Sequence, residues 1–330
     1  MTSTREGAGE TQDVAIQVLV DNRADLLVKS NAAVNYFTDG LLLAEHGFAA
    51  LVDLRAAGIR ILWDAGGTRI ALMENLRRME IDPATITTMA LSHGHFDHTA
   101  AVTDLLRAME LRPGPKKWGP GASMDEMRTW AEGRRVPLIA HPGAFRERWH
   151  LSRDGSRRGP TPPPPRAEWE ALGAQIIEAE GPYELGPGCW TTGPVPRASF
   201  ETSGVSPSMI YRDGDAFHPD IVEEDQAIVI NVKDKGLVVL AGCAHSGIVN
   251  TVNRARQVSG VERVWAILGG FHLAQVDEEE LQRTIEAVKA FHPMLIVPSH
   301  CTGFRATWQF AAQMPEAFMP NAVGAKYLFP

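Results

Sequence analysis

The stretch that decides the reading is Ser92-His93-Gly94-His95-Phe96-Asp97-His98. It places three imidazoles and one carboxylate in a single packet, in a chain with 11 histidines among 330 residues. A polar turn with chance histidines is a poor account of such clustering. His93 and His95 are two positions apart, so an extended segment points both side chains the same way. Asp97 continues that alternation. His98 breaks it and reaches a second point in space. The pattern suits two neighbouring metal ions better than one tetrahedral site. Neutral imidazole nitrogen and carboxylate oxygen are good zinc ligands at about 2.0–2.2 Å.

Working outward, a short apolar strand at Met89–Leu91 leads into the packet, and helical spacing at Thr99–Met109 follows it. Upstream, Val14–Val20 reads as a first strand. Leu41–Leu43 and Phe48–Leu54 read as strands around the turn Glu45-His46-Gly47. Ile59–Trp63 is a buried strand ending at Asp64-Ala65-Gly66-Gly67, where the glycine pair suits a turn. Leu72, Leu76 and Met79 share one face of a predicted helix over Ile70–Met79.

The second half repeats this rhythm. Strands at Ala227–Val232 and Gly236–Leu240 precede Gly242-Cys243-Ala244-His245 and a helix from about Ile248 to Val258. Val264–Leu268 runs into Gly269-Gly270-Phe271-His272, and a helix covers about Glu278–Phe291. Met294–Pro298 runs into Ser299-His300-Cys301-Thr302-Gly303. Side chains at the carboxyl ends of neighbouring strands can converge on one site. The middle is loop-rich at 110–135 and 152–168, apart from a strand at Val136–Ala140. Pro162–Pro165 favour extended polyproline geometry and read as an exposed loop, with a ligand for a proline-binding module as the weaker alternative. The expected organisation is a disordered tail at 1–12 and one domain over 13–330, carrying a loop-rich insertion at about 110–200.

Composition narrows the function classes. Hydrophobic residues at 44% and charged residues at 22% are ordinary for a globular chain and supply a sizeable core. A net charge of −8 with no basic stripe disfavours nucleic-acid binding and anionic membranes. Cys189, Cys243 and Cys301 are too few for a disulfide framework. The polar N-terminus has no apolar signal segment, and no run of about 18 apolar residues exists. The expectation is a cytoplasmic protein acting on a small molecule.

The His-x-His-x-Asp-His packet after a short strand resembles the signature of the metallo-β-lactamase superfamily. ILWDAGG is similar to the strand and turn that precede that signature. AEHGFAALVDL, TTGPVPRASFE, GLVVLAGCAHSGIVNTV, ILGGFHL and PSHCTG together resemble one branch, that of the dihydropterin-ribofuranosylaminobenzene 5′-phosphate synthase-like proteins. The matches run in family order from about Val14 to Gly303. The resemblance implies an α/β fold, an αββα sandwich of two mixed sheets packed face to face with helices outside. It implies two divalent ions, with zinc expected and manganese or iron as alternatives. His93 and His95 would bind the first ion, and Asp97 and His98 the second. His300 would complete the second site, and His245 is the further ligand. Most members carry an aspartate bridge after the strand that here ends at Gly242-Cys243-Ala244-His245. His245 therefore either completes the first site or replaces the bridge. Cys243 reads as a buried small residue, with a soft ligand as the alternative.

Other roles follow with less support from the pattern. Asp64 is expected to orient a ligand histidine. His272 is read as active-site lining or a proton shuttle, with a structural histidine as the alternative, and His46 as pocket lining. Arg197 and Glu201 are candidates for substrate recognition, since a guanidinium suits a phosphate or carboxylate. His141 reads as structural or pocket-rim, and His150, His218 and His292 receive no role. Paired cations lower the pKa of bound water from roughly 15.7 to about 7, giving hydroxide near neutrality. The expected activity is hydrolysis or group transfer at a phosphoester, ester or lactone, on a small and possibly anionic substrate. The alternatives are an iron-dependent oxidoreductase on the same fold and a non-catalytic metal-binding scaffold.

Overall fold

The computed structural model describes residues 9–111, 117–202, 204 and 206–330. Two sheets form its centre. The first has eight strands in the order Val34–Asn35, Lys326–Phe329, Val14–Val20, Ala49–Leu54, Ile59–Trp63, Thr88–Ala90, Val136–Ala140, Ala174–Glu178. The second has six, in the order Tyr183–Gly186, Cys189–Thr191, Ala227–Val232, Gly236–Ala241, Val264–Gly270, Leu295–Ser299. The last four strands of the first sheet are parallel to one another, as are the last three of the second.

Side-chain alternation explains why the sheets pack as they do. Ala50, Val52, Leu54, Ile61 and Trp63 join Ile228, Ile230, Val238, Leu240 and Leu268 in one core between the sheets. The intervening residues Ala49, Leu51 and Leu62 face the other way and meet Leu72, Leu76, Leu105 and Trp169 from helices. Ile267 and Ile296 likewise meet Ile248, Val252, Leu281 and Phe310 on the outer face of the second sheet. The period of two in these strands thus buries both faces, and helices cover both outsides. This is the αββα sandwich. Burying each large aliphatic or aromatic side chain contributes about 1.5–3 kcal/mol, so the inter-sheet layer and both helix-covered outer layers stabilise the fold.

Several local expectations change. Leu41–Leu43 form no strand. Asn75 takes the place of a partner strand there: its Oδ1 accepts from Leu43 N and its Nδ2 donates to Leu43 O, both at 2.8 Å. The helix expected over Thr99–Met109 is two pieces, Phe96–Thr99 and Val102–Ala108. The tail expected over 1–12 falls partly outside the described residues. Thr11 is buried and paired: its N–H donates to Asn231 O, and its O accepts from Lys233 N. The middle region is divided between sheets. Val136–Ala140 and Ala174–Glu178 belong to the first sheet, while Glu147–Leu151 and Arg157–Thr161 join Met209–Asp213 and Ala216–Pro219 in a third, four-stranded sheet. Arg157–Thr161 is exposed along its whole length, which is why no apolar pattern announced it. Among the described residues no helix is long and apolar enough to cross a membrane.

One glycine ties the packet to this frame. A Cβ on Gly94 would lie 2.0 Å from the Ala144 carbonyl oxygen, on the turn after Val136–Ala140. Gly94→Ala is therefore expected to lower unfolding free energy by roughly 1–3 kcal/mol or more. Gly121→Ala, with nothing within 4 Å of its added Cβ, is expected to be near neutral. Chemical denaturation of both variants makes the comparison, and equal stability would contradict the close approach.

Candidate metal centre

The site is built where strands end. His93 and His95 lie on the extended chain after Thr88–Ala90. The helical turn Phe96–Thr99 begins immediately afterwards, so alternation stops at His95. Asp97 and His98 are placed by that turn, not by continued extension. Cys243 and His245 follow Gly236–Ala241, His272 follows Val264–Gly270, and His300 follows Leu295–Ser299. Asp64, Ala244, His272 and His300 all adopt left-handed backbone, with φ of 59°, 50°, 49° and 48°. Such conformations are costly for residues other than glycine and concentrate at functional sites.

Two groups of donor atoms result, each with its atoms within 4.8 Å of one another. One is His93, His95 and His245; the other is Asp97, His98, Cys243 and His300. His245 thus stands with the first pair. Cys243 is more than a buried filler. Its Sγ lies 3.0 Å from His98 Nε2 and belongs to the second group. A third grouping, Cys243, His245 and His272, shares members with both.

The hydrogen bonds fix which nitrogen of each ring is free. Asp64 accepts from Ser92 N at 2.8 Å and from Ser92 Oγ at 2.7 Å. The Ser92 hydroxyl has one proton, which goes to Asp64, so its oxygen accepts from His93 Nδ1 at 2.8 Å. His98 Nδ1 donates to Asp64 Oδ2 at 2.7 Å. His245 Nδ1 donates to Gly204 O at 2.5 Å, and His300 Nδ1 to Asn22 Oδ1 at 3.0 Å. With Nδ1 as the donor, each of these four rings in its neutral, ligand form turns an Nε2 lone pair inward. His93 Nε2 and His245 Nε2 face each other at 3.2 Å with no proton assigned between them. His95 Nε2 is buried without a hydrogen-bond partner, and His300 Nε2 faces only Asp97 Oδ2, at 3.3 Å. Lone pairs opposed in a buried space are unfavourable alone and are what a cation satisfies. The residues present therefore fit divalent metal ions.

Electrostatics agree. Burial pushes His93 and His245 well below the usual imidazole range, with neighbouring imidazoles adding to it. Burial, reinforced by Arg148, brings His95 down to about 4. These three are neutral, the ligand form, at neutral pH. Burial also works against a charged His98, but Asp64 and Asp97 outweigh it and hold His98 up to about 9. Burial would raise Asp97, yet His98, His300 and His46 keep it well below the usual carboxylate range. The second group thus attracts positive charge, whether a proton or a cation.

The remaining residues sort by position. His46 Nε2 lies 3.4 Å from Asp97 Oδ2, and its ring centroid is 5.0 Å from that of His300. His272 lines the cavity above the site, with its ring centroid 4.4 Å from that of His245 and a buried Nδ1 lacking a partner. Arg197 and Glu201 are not brought to the cavity. Arg197 Nη2 donates to Ile221 O at 2.6 Å. Glu201 is buried at the start of helix Ile248–Ser259, accepting from Val249 N and Asn250 N. There its oxygens satisfy helix N–H groups that would otherwise be orphaned. Sequence reasoning missed Asn22, Ser92, Arg146 and Arg148. Asn22 and Ser92 stand at strand ends, the same signal that marked the histidines. The two arginines lie on and beside the half-buried strand Glu147–Leu151 of the third sheet and gave no signal.

Asp64→Asn removes the charge that holds His98 and, through Ser92, His93. It is expected to weaken metal affinity roughly 10–100-fold with the fold retained. Competition against a chromophoric chelator measures this, and unchanged affinity would remove Asp64 from the account.

Comparison with known proteins agrees with this geometry. Residues 44–300 match the metallo-beta-lactamase superfamily. A 7,8-dihydropterin-6-methyl-4-(beta-D-ribofuranosyl)-aminobenzene-5′-phosphate synthase from Methanocaldococcus jannaschii is 28% identical over 280 residues, 83% of this chain and 87% of that protein. The crystal structure of Tm1679, a metal-dependent hydrolase of the beta-lactamase superfamily, superposes with a TM-score of 0.69 at 22% identity, covering 95% of this chain and 98% of that one. The metallo-beta-lactamase fold protein YhfI from Bacillus subtilis gives a TM-score of 0.51 at 11% identity, covering 95% and 99%. The fold, the strand-end ligand groups and the match over most of the length lead to one assignment: this chain belongs to the metallo-β-lactamase superfamily.

Proposed function

We propose that the protein is a metal-dependent hydrolase or group-transfer enzyme with two divalent ions, acting on a phosphoester, ester or lactone. The observation that carries this reading is the set of inward-facing Nε2 lone pairs gathered with Asp97 and Cys243. His93, His95 and His245 would hold one ion. Asp97, His98, Cys243 and His300 would hold the other. Bound there, divalent ions supply Lewis acidity, which favours deprotonation of water near neutral pH and stabilises charge developing on the substrate oxygen.

The chain's own groups do the rest. Asp97 Oδ2 lies 3.3 Å from His300 Nε2 and 3.7 Å from His98 Nε2, so it can ligate and also orient the attacking water. In the reaction, water oxygen bonds to phosphorus or to the acyl carbon. The bond to the leaving oxygen breaks, its electron pair stays on that oxygen, and the water proton ends there. His272 faces the cavity with an unpartnered Nδ1 and can carry that proton. Phosphorus chemistry is favoured within the proposal because the Methanocaldococcus jannaschii relative is named for a 5′-phosphate product. Zinc suits the nitrogen, oxygen and sulfur donors, and manganese or iron would occupy the same positions. Three free cysteines are in keeping with a cytoplasmic setting.

His95→Ala and Asp97→Ala are each expected to abolish turnover of a phosphodiester, phosphomonoester and lactone panel, while far-ultraviolet circular dichroism stays unchanged. Chelation should remove activity and added zinc should restore it. Full turnover in either variant at full metal content would refute the site assignment.

A further inference from the structure

The cavity over the metal-ligand groups has a volume of about 550 Å³. That is the size of a pocket for a sizeable organic molecule and far exceeds what a bare phosphate fills. Its floor carries His95, Asp97, His245 and His272. Its walls are of another character. Pro162–Pro165, the run that the sequence marks as an exposed loop, form one side. Phe96, held between the ligands His95 and Asp97, is 60% exposed and lines the same space. Met209, from the third sheet, lines it as well. A large aromatic ring left open beside the reacting centre loses free energy in water and regains it when covered.

Of the two cavity arginines, Arg148 is fully answered by carboxylates, while Arg146 pairs through Nη2 and keeps a buried Nη1 without a partner. Arg148 is buried, with Nε 2.7 Å from Asp220 Oδ2 and Nη2 paired to Glu224. Arg146 Nη2 pairs with Glu223 Oε2 at 2.9 Å, and its guanidinium lies 4.4 Å over the Tyr211 ring. An anionic arm directed at Arg148 would have to break a buried ion pair, which is strongly unfavourable. Ionic recognition at Arg148 is therefore disfavoured, and the proline, Phe96 and Met209 walls favour apolar recognition.

We propose that the substrate's non-reacting part is a bulky apolar or aromatic group, seated against Phe96 and the Pro162–Pro165 wall and bound by apolar burial, not by ion pairing. This rests on the hydrolase reading, and the test separates the two. Turnover of phenyl p-nitrophenyl phosphate and methyl p-nitrophenyl phosphate by the zinc-loaded enzyme compares two bodies on one leaving group. In parallel, calorimetry measures binding of phenylphosphonate and methylphosphonate to the same protein. The phenyl compounds are expected to show KM and Kd values roughly tenfold lower or better, little changed by salt, with a more negative heat-capacity change. Phe96→Ala should collapse the phenyl preference, and Met209→Ala, distant from the ligands in sequence, should reduce it at unchanged zinc content. Equal binding of the two phosphonates, or a preference untouched by both substitutions, overturns the apolar subsite even if both diesters are hydrolysed. If neither diester turns over but phenylphosphonate binds preferentially through Phe96, the subsite stands and the phosphodiesterase reading falls.

Discussion

Two of the ligand rings at the candidate centre are held by one buried carboxylate. Asp64 takes three hydrogen bonds, from Ser92 N, Ser92 Oγ and His98 Nδ1. Charge-assisted bonds of this kind contribute about 1.5–3 kcal/mol each and are expensive to leave unmade. By fixing the Ser92 proton they also fix the tautomer of His93, and by holding His98 Nδ1–H they turn its Nε2 inward. Two rings, one on each ligand group, are thus set by one side chain at the end of Ile59–Trp63. Asn22 does the same service for His300.

Close backbone approach is the second constraint. A Cβ on Gly242 would meet Ser92 Oγ at 2.2 Å and Asp64 Oδ2 at 2.9 Å. The loop carrying Cys243 and His245 comes from the second sheet, and Asp64 and Ser92 belong to the first. Gly242 is therefore where the two sheets' strand ends touch. The inter-sheet core holds the frames in register, and the glycines let the polar ends close over it. Strained backbone at Ala244, His272 and His300 is stable because that packing over-determines it.

Much of this was legible in the sequence because strands and ligands carry strong local signals. Alternation in Ile59–Trp63 and Ala227–Val232, and histidines just after apolar runs, located both sheets and the site. What stayed illegible has physical causes. Cys243 looks like any small buried residue until its sulfur is seen beside His98. Glu201 gives no sign in the sequence that its oxygens sit on helix N–H groups. The third sheet has exposed, arginine-bearing strands with no apolar face to announce them. Leu41–Leu43 looked like a strand because the sequence shows apolar side chains but not that Asn75 satisfies the backbone.

The central claim is that two divalent ions sit in these groups and that one has a sulfur ligand from Cys243. Titrating metal-free protein with cobalt tests it most directly. The account predicts saturation at two equivalents per chain and an intense near-ultraviolet sulfur-to-cobalt absorption that Cys243→Ser removes and Cys189→Ser leaves intact. Saturation at one equivalent or none, or two equivalents without a Cys243-dependent absorption, would contradict it.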